Sequence, residues 1–178
     1  MHAFWRNGFE ATSMADLVDA TGSTRQSIYG DFGSKDGLYL ACFQTYRDEV
    51  VLPALSLLSA EVGDMRSIAQ YFETQIALAE MIGLPGPGCL VGNAMTETAP
   101  ANTHVRELVE EHNHRLATAF AKALPEHLPH SKRSELADFL VVAAQGLWAI
   151  SRVTSSSKEL RARAKTVLRM IQKEIDDA

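Results

Sequence analysis

Apolar residues recur at three- and four-residue spacing along nearly all of this chain, and that rhythm limits what it can fold into more than any other feature. Met65, Ile68, Phe72, Ile76 and Ala79 mark one such face, and Val105, Leu108, Val109, Leu116, Ala119, Phe120 and Ala123 another. Two more follow, through Leu136, Phe139, Leu140, Ala143, Leu147, Ile150 and Val153, and through Leu160, Ala164, Val167, Leu168, Ile171 and Ile175. Each repeat matches the 3.6-residue turn of a helix, and no stretch shows the two-residue alternation of a half-buried strand. The expected fold class is all-α. With 178 residues, 46% of them apolar, the chain has enough greasy surface to bury a core.

Punctuation residues divide this pattern into elements. MHAFWRN ends at Gly8 with no capping residue before it, and reads as the tail of a helix whose beginning is missing. Ser13 followed by Asp16 caps a short helix carrying Met14, Leu17 and Val18, which Thr21-Gly22 stops. A second short helix runs from about Thr24 to Tyr29, ahead of Gly30. Ser34 starts a rod reaching to about residue 59, which Pro53 should kink or split. LPGPG, 84 to 88, forces a loop, and GCLVGNAMTETAP, 88 to 100, suggests a short helix bounded by Pro100.

Composition narrows the functions available. No apolar run approaches the roughly 20 residues that cross a bilayer, and no secretory leader is legible, so the expectation is a cytoplasmic protein without a membrane partner. Cys42 and Cys89 are the two cysteines, far apart and outside any CxxC pair, which argues against a disulfide scaffold or structural zinc. HExxH, GxSxG, GxGxxG and P-loop motifs are missing, so neither an enzyme nor a cofactor is expected. The net charge of −5 does not favour nucleic acid, and residues 1–37 carry three cations against five anions. Phosphate contacts depend on where cations sit rather than on their sum, so the balance does not exclude it.

TGSTRQSIYGDFGSK, 21 to 35, gives the positive signal. Two short helices joined by a glycine-containing turn, each too poor in apolar residues to stand alone, form a helix-turn-helix whose second helix enters the major groove. Ile28 then turns inward with Leu17 and Val18, which leaves Thr24, Arg25, Gln26 and Ser27 free for base edges or phosphates. Arginine pairs with guanine and glutamine with adenine in two-point contacts, each worth about 1–3 kcal/mol of discrimination. Tyr29 offers a hydroxyl to phosphate, and Lys35, in the first turn of the next helix, can hold another. A solvated polar turn is the plainer alternative.

The segment from Ala3 to Phe43 resembles the N-terminal domain of the tetracycline-repressor (TetR/AcrR) family of transcriptional regulators, through GFEATSM, Asp16, Thr21-Gly22, Ile28-Tyr29 and FGSK in order. The resemblance implies that Thr12, Ser13, Thr24, Arg25, Gln26, Ser27, Tyr29 and Lys35 meet double-stranded operator DNA. It implies a helix-turn-helix domain over 1–45 and a ligand-binding and dimerisation domain over 46–178. It further implies a repressor that binds a palindromic operator as a homodimer and is released by a small-molecule inducer. Three departures stand out: the first helix is short and lacks the usual basic residues, Ser23 replaces a common apolar residue, and Asp31 would repel phosphate.

In the larger part, residues that interrupt or line apolar faces are the ligand candidates: Phe72, Cys89, Met95, His112 and Trp148. Plain core packing is the alternative for each. The two final helices carry broad apolar faces, and the resemblance implies that Leu136, Phe139, Leu140, Leu147, Val167, Leu168 and Ile171 pair with a second copy. A helical small-molecule carrier without DNA binding, a metal sensor using His104, Glu107 and Glu111 with Cys89, and a thiol sensor using Cys89 or Cys42 are the competing functions.

Overall fold

The computed structural model describes residues 1–59 and 65–178, and every regular element among them is helical. The N-terminal head holds α1 (His2–Asn7), α2 (Met14–Thr21), α3 (Arg25–Phe32) and the start of α4 (Lys35–Tyr46). The rod continues through a wider π-type turn (Arg47–Val51) into α5 (Leu52–Ser59). The body adds α6 (Met65–Ile82), α7 (Leu90–Glu97), α8 (Thr103–Ala123), α9 (His130–Ser151) and α10 (Ser157–Asp176).

The expected break in the rod falls at 47–51, just ahead of Pro53. Proline has no N–H to donate and its ring crowds the carbonyl one turn back, so a widened turn before it is a low-cost way to keep the chain helical. The loop at 84 to 88, the short α7 and the long α6, α8, α9 and α10 all stand where periodicity put them, within a few residues.

Two apolar clusters hold the molecule. One gathers Leu58, Ile68, Phe72, Ile76, Phe120, Leu140, Leu160 and Ile171 from α5, α6, α8, α9 and α10. The other gathers Phe4, Leu17, Ile28, Tyr39 and Phe43 under the head, and extends into Leu90, Ala94, Val105 and Val109 of α7 and α8. Packing therefore groups α7 and the first half of α8 with the head, although both lie beyond residue 45 in the chain. Helix α8 is the shared spine, because Val105 and Val109 join one cluster while Leu116 and Phe120 join the other.

The final helices correct the interface expected there. Leu136, Leu140, Leu147 and Ile171 are buried in the chain's own core, so they have no surface to offer a second copy. Phe139 is exposed, and Val167 and Leu168 are half-buried. Helix α9 is apolar over more than one face, whereas α10 carries a single apolar face against a charged one, and sequence periodicity does not say whether the subunit or a second copy consumes such a face. The apolar residues left outward are Phe139, Val142, Val153 and Met170.

Candidate functional site

Local hydrogen bonds build the outward face of the head. Ser13 N–H donates to Asp16 Oδ2 at 2.7 Å and Asp16 N–H to Ser13 Oγ at 3.1 Å, a reciprocal cap that fixes where α2 begins. These bonds hold the Asp16 carboxyl below the usual aspartate range. Gly22 closes α2 in the left-handed region, φ 67°, and sends its N–H to the Val18 carbonyl at 2.9 Å. A side chain is strained there, which is why glycine makes the turn. Thr24 Oγ1 then accepts the Ser27 N–H at 3.1 Å and opens α3. Leu17 and Ile28 face each other's helices from below, 2% and 3% exposed.

This bracing leaves Thr24, Arg25, Gln26, Ser27 and Tyr29 at the surface. The Arg25 guanidinium sits 5.8 Å from the Tyr29 ring centre, which restrains a long side chain before it meets anything. Ser13 is exposed beside them, while Lys35 is half-buried with Nζ 4.3 Å from the Phe9 ring centre. Thr12 is the exception among the expected contacts. It is fully buried, and its hydroxyl donates to the Gly8 carbonyl at 2.6 Å, so it braces the turn between α1 and α2 instead of facing DNA. Ser23 is half-buried and Asp31 is exposed on α3, near Ser27.

Below the head, α1 is tied to α7 and to the loop before it. Trp5 Nε1 donates to the Gly88 carbonyl at 2.9 Å, and Asn93 Nδ2 donates to the Pro87 carbonyl at 2.9 Å. Glu97 Oε1 accepts the Glu10 N–H at 2.9 Å. Gly8 lets this happen: a Cβ there would lie 2.8 Å from the Glu97 carboxylate, and its φ of 85° suits glycine.

A cavity of about 70 Å³ lies directly behind these ties. Trp5, Tyr46, Tyr71, Gln75, Cys89, His112, Gln145 and Trp148 contribute to its wall. Three of the five expected ligand residues, Cys89, His112 and Trp148, do face it. Phe72 does not, because it is turned about a third of a helical turn from Tyr71 and stacks on Phe120 at 6.2 Å in the main core. Met95 does not line it either, and packs half-buried against the head cluster. Gln75 and Gln145 were legible as amides inside apolar helices, whereas Trp5 and Tyr46 reach the cavity only through tertiary packing. An open groove of about 440 Å³ adjoins it between α4 and α8, lined by Arg47, His104, Glu107, Glu111 and Arg115, with His112 shared by both spaces.

Burial sets the protonation states. His112 is pushed down from 6.5 to about 4, first by desolvation and then by the Arg115 charge, so it is neutral at pH 7. Burial raises the Cys89 thiol, which accepts hydrogen bonds from Gly92 N–H, at 3.4 Å, and from Tyr46. A protonated, enclosed thiol is a poor nucleophile and a poor metal ligand. Burial also raises Tyr71, whose hydroxyl takes a hydrogen bond from Trp148, and this supplies the partner that the Trp148 N–H requires. Among the described residues no group of three or more His, Cys, Asp and Glu comes together to hold a metal.

A capped helix pair with its polar face outward, mounted on a helical body, defines a helix-turn-helix protein. Residues 1–42 match the family described as bacterial regulatory proteins, tetR family. The chain is 32% identical over 177 residues to the HTH-type transcriptional repressor ComR of Escherichia coli (strain K12), a match spanning 96% of this chain and 84% of that protein. Its fold superposes with a TM-score of 0.80 on a cysteine variant of the TetR family regulator CifR complexed with 26-base-pair operator DNA, at 23% identity, covering 94% of this chain and 90% of that one. A TetR regulator from Legionella pneumophila gives a TM-score of 0.78 at 17% identity, covering 96% and 89%. The chain belongs to the tetR family of bacterial regulatory proteins, and it is a DNA-binding transcriptional regulator. No helix among the described residues is long and apolar enough to cross a membrane.

Proposed function

We propose that this regulator represses transcription by binding a palindromic operator as a homodimer, and that a small molecule in the cavity releases it. The head over 1–45 reads DNA, and residues 46–178 sense and dimerise. The exposure of Arg25, Gln26, Ser27 and Tyr29 on a short, capped α3 carries the reading. Those side chains have the donors and acceptors that base edges and phosphates require, and the caps hold them in one orientation.

Dimerisation is supported by Phe139, Val142, Val153 and Met170, which stay exposed at 42%, 69%, 80% and 53% on α9, its C-terminal end and α10. Ligand control is supported by the cavity wall, which includes Trp5 of the head and Tyr46 and Val51 of the rod. A ligand that prefers one spacing of the two heads shifts the population toward it, and one with equal affinity for both shifts nothing.

The test is selection of a preferred duplex from a random-sequence pool, followed by gel shift across a salt series. Arg25→Ala is expected to weaken the selected duplex at least tenfold and to lower the salt slope by about one contact. Equal binding by the variant, or failure of the pool to yield any preferred sequence, removes the reading.

A further inference from the structure

The cavity has a chemical character of its own. Among the described residues its wall contains no Asp, Glu, Lys or Arg, although the groove beside it holds two arginines and two glutamates. The titratable groups that do face it are kept uncharged by burial: His112, Cys89, Tyr46 and Tyr71. An ion entering this space would lose its hydration and gain no counter-charge.

The wall is nevertheless polar, and its polarity is uncommitted. The side chains of His112 and Gln75 make no hydrogen bond among the described residues, and Gln145 spends its Nε2 on Asn113 at 3.2 Å while its buried Oε1 has no partner. Buried polar groups ordinarily find partners, so the unpaired Gln145 Oε1 of α9, with the half-buried, unpaired side chains of Gln75 on α6 and His112 on α8 around the same space, points to something that bonds to them there. Size narrows the class further. At about 70 Å³ the space is well under the ~150 Å³ that admits the six carbons of benzene, and suits a molecule of about three to five non-hydrogen atoms.

We propose that the cavity binds a small uncharged oxygen-bearing molecule, an alcohol or carbonyl compound of a few carbons, held by Gln75, His112 and Gln145. This rests on the ligand-responsive reading above and specifies what its ligand is. The molecule lies against both ends of the Trp5–Gly88 hydrogen bond, since both residues are in the wall, so occupancy bears directly on the tie between α1 and the loop before α7.

Both tryptophans of the chain, Trp5 and Trp148, line the cavity, which makes intrinsic fluorescence the natural readout. Four probes of similar skeleton separate the possibilities: 2-butanol, 2-butanone, isobutyrate and sec-butylammonium. Each is titrated against the full chain, with free N-acetyltryptophanamide as the solvent control. The neutral pair is expected to give saturable changes with Kd at least tenfold below the charged pair, and Gln75→Leu is expected to weaken 2-butanol at least fivefold. Gln75 is half-buried, so that variant should keep the wild-type circular dichroism and melting temperature. Charged probes binding as well as neutral ones, or no saturable change with any of the four, overturns the proposal, the latter leaving a cavity that holds only water. Gel shift on the same samples separates the two readings: retained DNA selectivity with either adverse result sinks this inference alone, while loss of selectivity sinks the regulator reading itself.

Discussion

Lowering the pH from 8 to 5 should destabilise this protein through one side chain, His112. Its imidazole is enclosed between α8, the rod and the cavity, with Arg115 as the charge acting on it, and its folded-state value is about 4 against 6.5 unfolded. Between those values the unfolded chain takes up a proton that the folded chain refuses. Stability therefore falls as pH drops below about 6.5 and levels off below about 4. A displacement of this size corresponds to about 3 kcal/mol in full, of which about 2 kcal/mol is lost by pH 5. Carboxylates held low by hydrogen bonds, Asp16, Glu80, Glu111 and Glu174, lose their contribution in the same direction but begin nearer their ordinary values of 3.8 and 4.5. Urea unfolding of wild type and His112→Leu, at one protein concentration and at intervals from pH 8 to pH 5, isolates the histidine, because the carboxylate losses are common to both. The difference between the two should change by about 2 kcal/mol across that range in favour of the variant at low pH. Parallel curves would mean that His112 is solvated or protonated in the folded state.

Three further outcomes follow from the geometry. Gly37→Ala places a Cβ 2.0 Å from the Phe32 carbonyl oxygen, so thermal unfolding should show a loss of about 2–3 kcal/mol together with weaker DNA binding; an unchanged melting temperature would show that the α3–α4 junction yields freely. Trp5→Phe keeps most of the ring but removes the N–H that reaches Gly88, with an expected loss of about 1–2 kcal/mol in urea unfolding and an altered response of DNA binding to 2-butanol; retention of both would show that the tie is idle. Val142→Glu puts a charge on a side chain 69% exposed, so light scattering should report a shift toward monomer while the subunit's circular dichroism stays wild-type; an intact dimer would place the interface on another face.

Patterns confined to one helical turn were readable from the residues in order. Ser13 with Asp16, Thr21-Gly22 and Ser34 set the ends of the short helices through bonds spanning three or four residues, and those bonds are present. The all-helical class was readable for the same reason, since the 3.6-residue rhythm is local geometry repeated. Which apolar face meets which neighbour is not local. Thr12 went inward, with its hydroxyl on the Gly8 carbonyl, and Phe72 lies in the main core while its neighbour Tyr71, one residue round the helix, packs on Phe120 and also reaches the cavity wall. Leu136, Leu140, Leu147 and Ile171 were absorbed by the subunit, because α6 and α8 pack against the same apolar faces of α9 and α10 that a second copy would need.

By itself, then, the order of residues determined the helices, most of their ends, and a polar, guanidinium-bearing segment suited to DNA; the end of α3 was missed, since the helix runs through Gly30 to Phe32 and closes at Gly33. Tertiary structure alone decided the cavity, drawing Trp5 from α1, Tyr46 from α4 and Gln145 from α9 into one wall across more than a hundred residues of chain. It also decided that His112 is neutral, because desolvation depends on everything that surrounds a group and not on its neighbours in sequence.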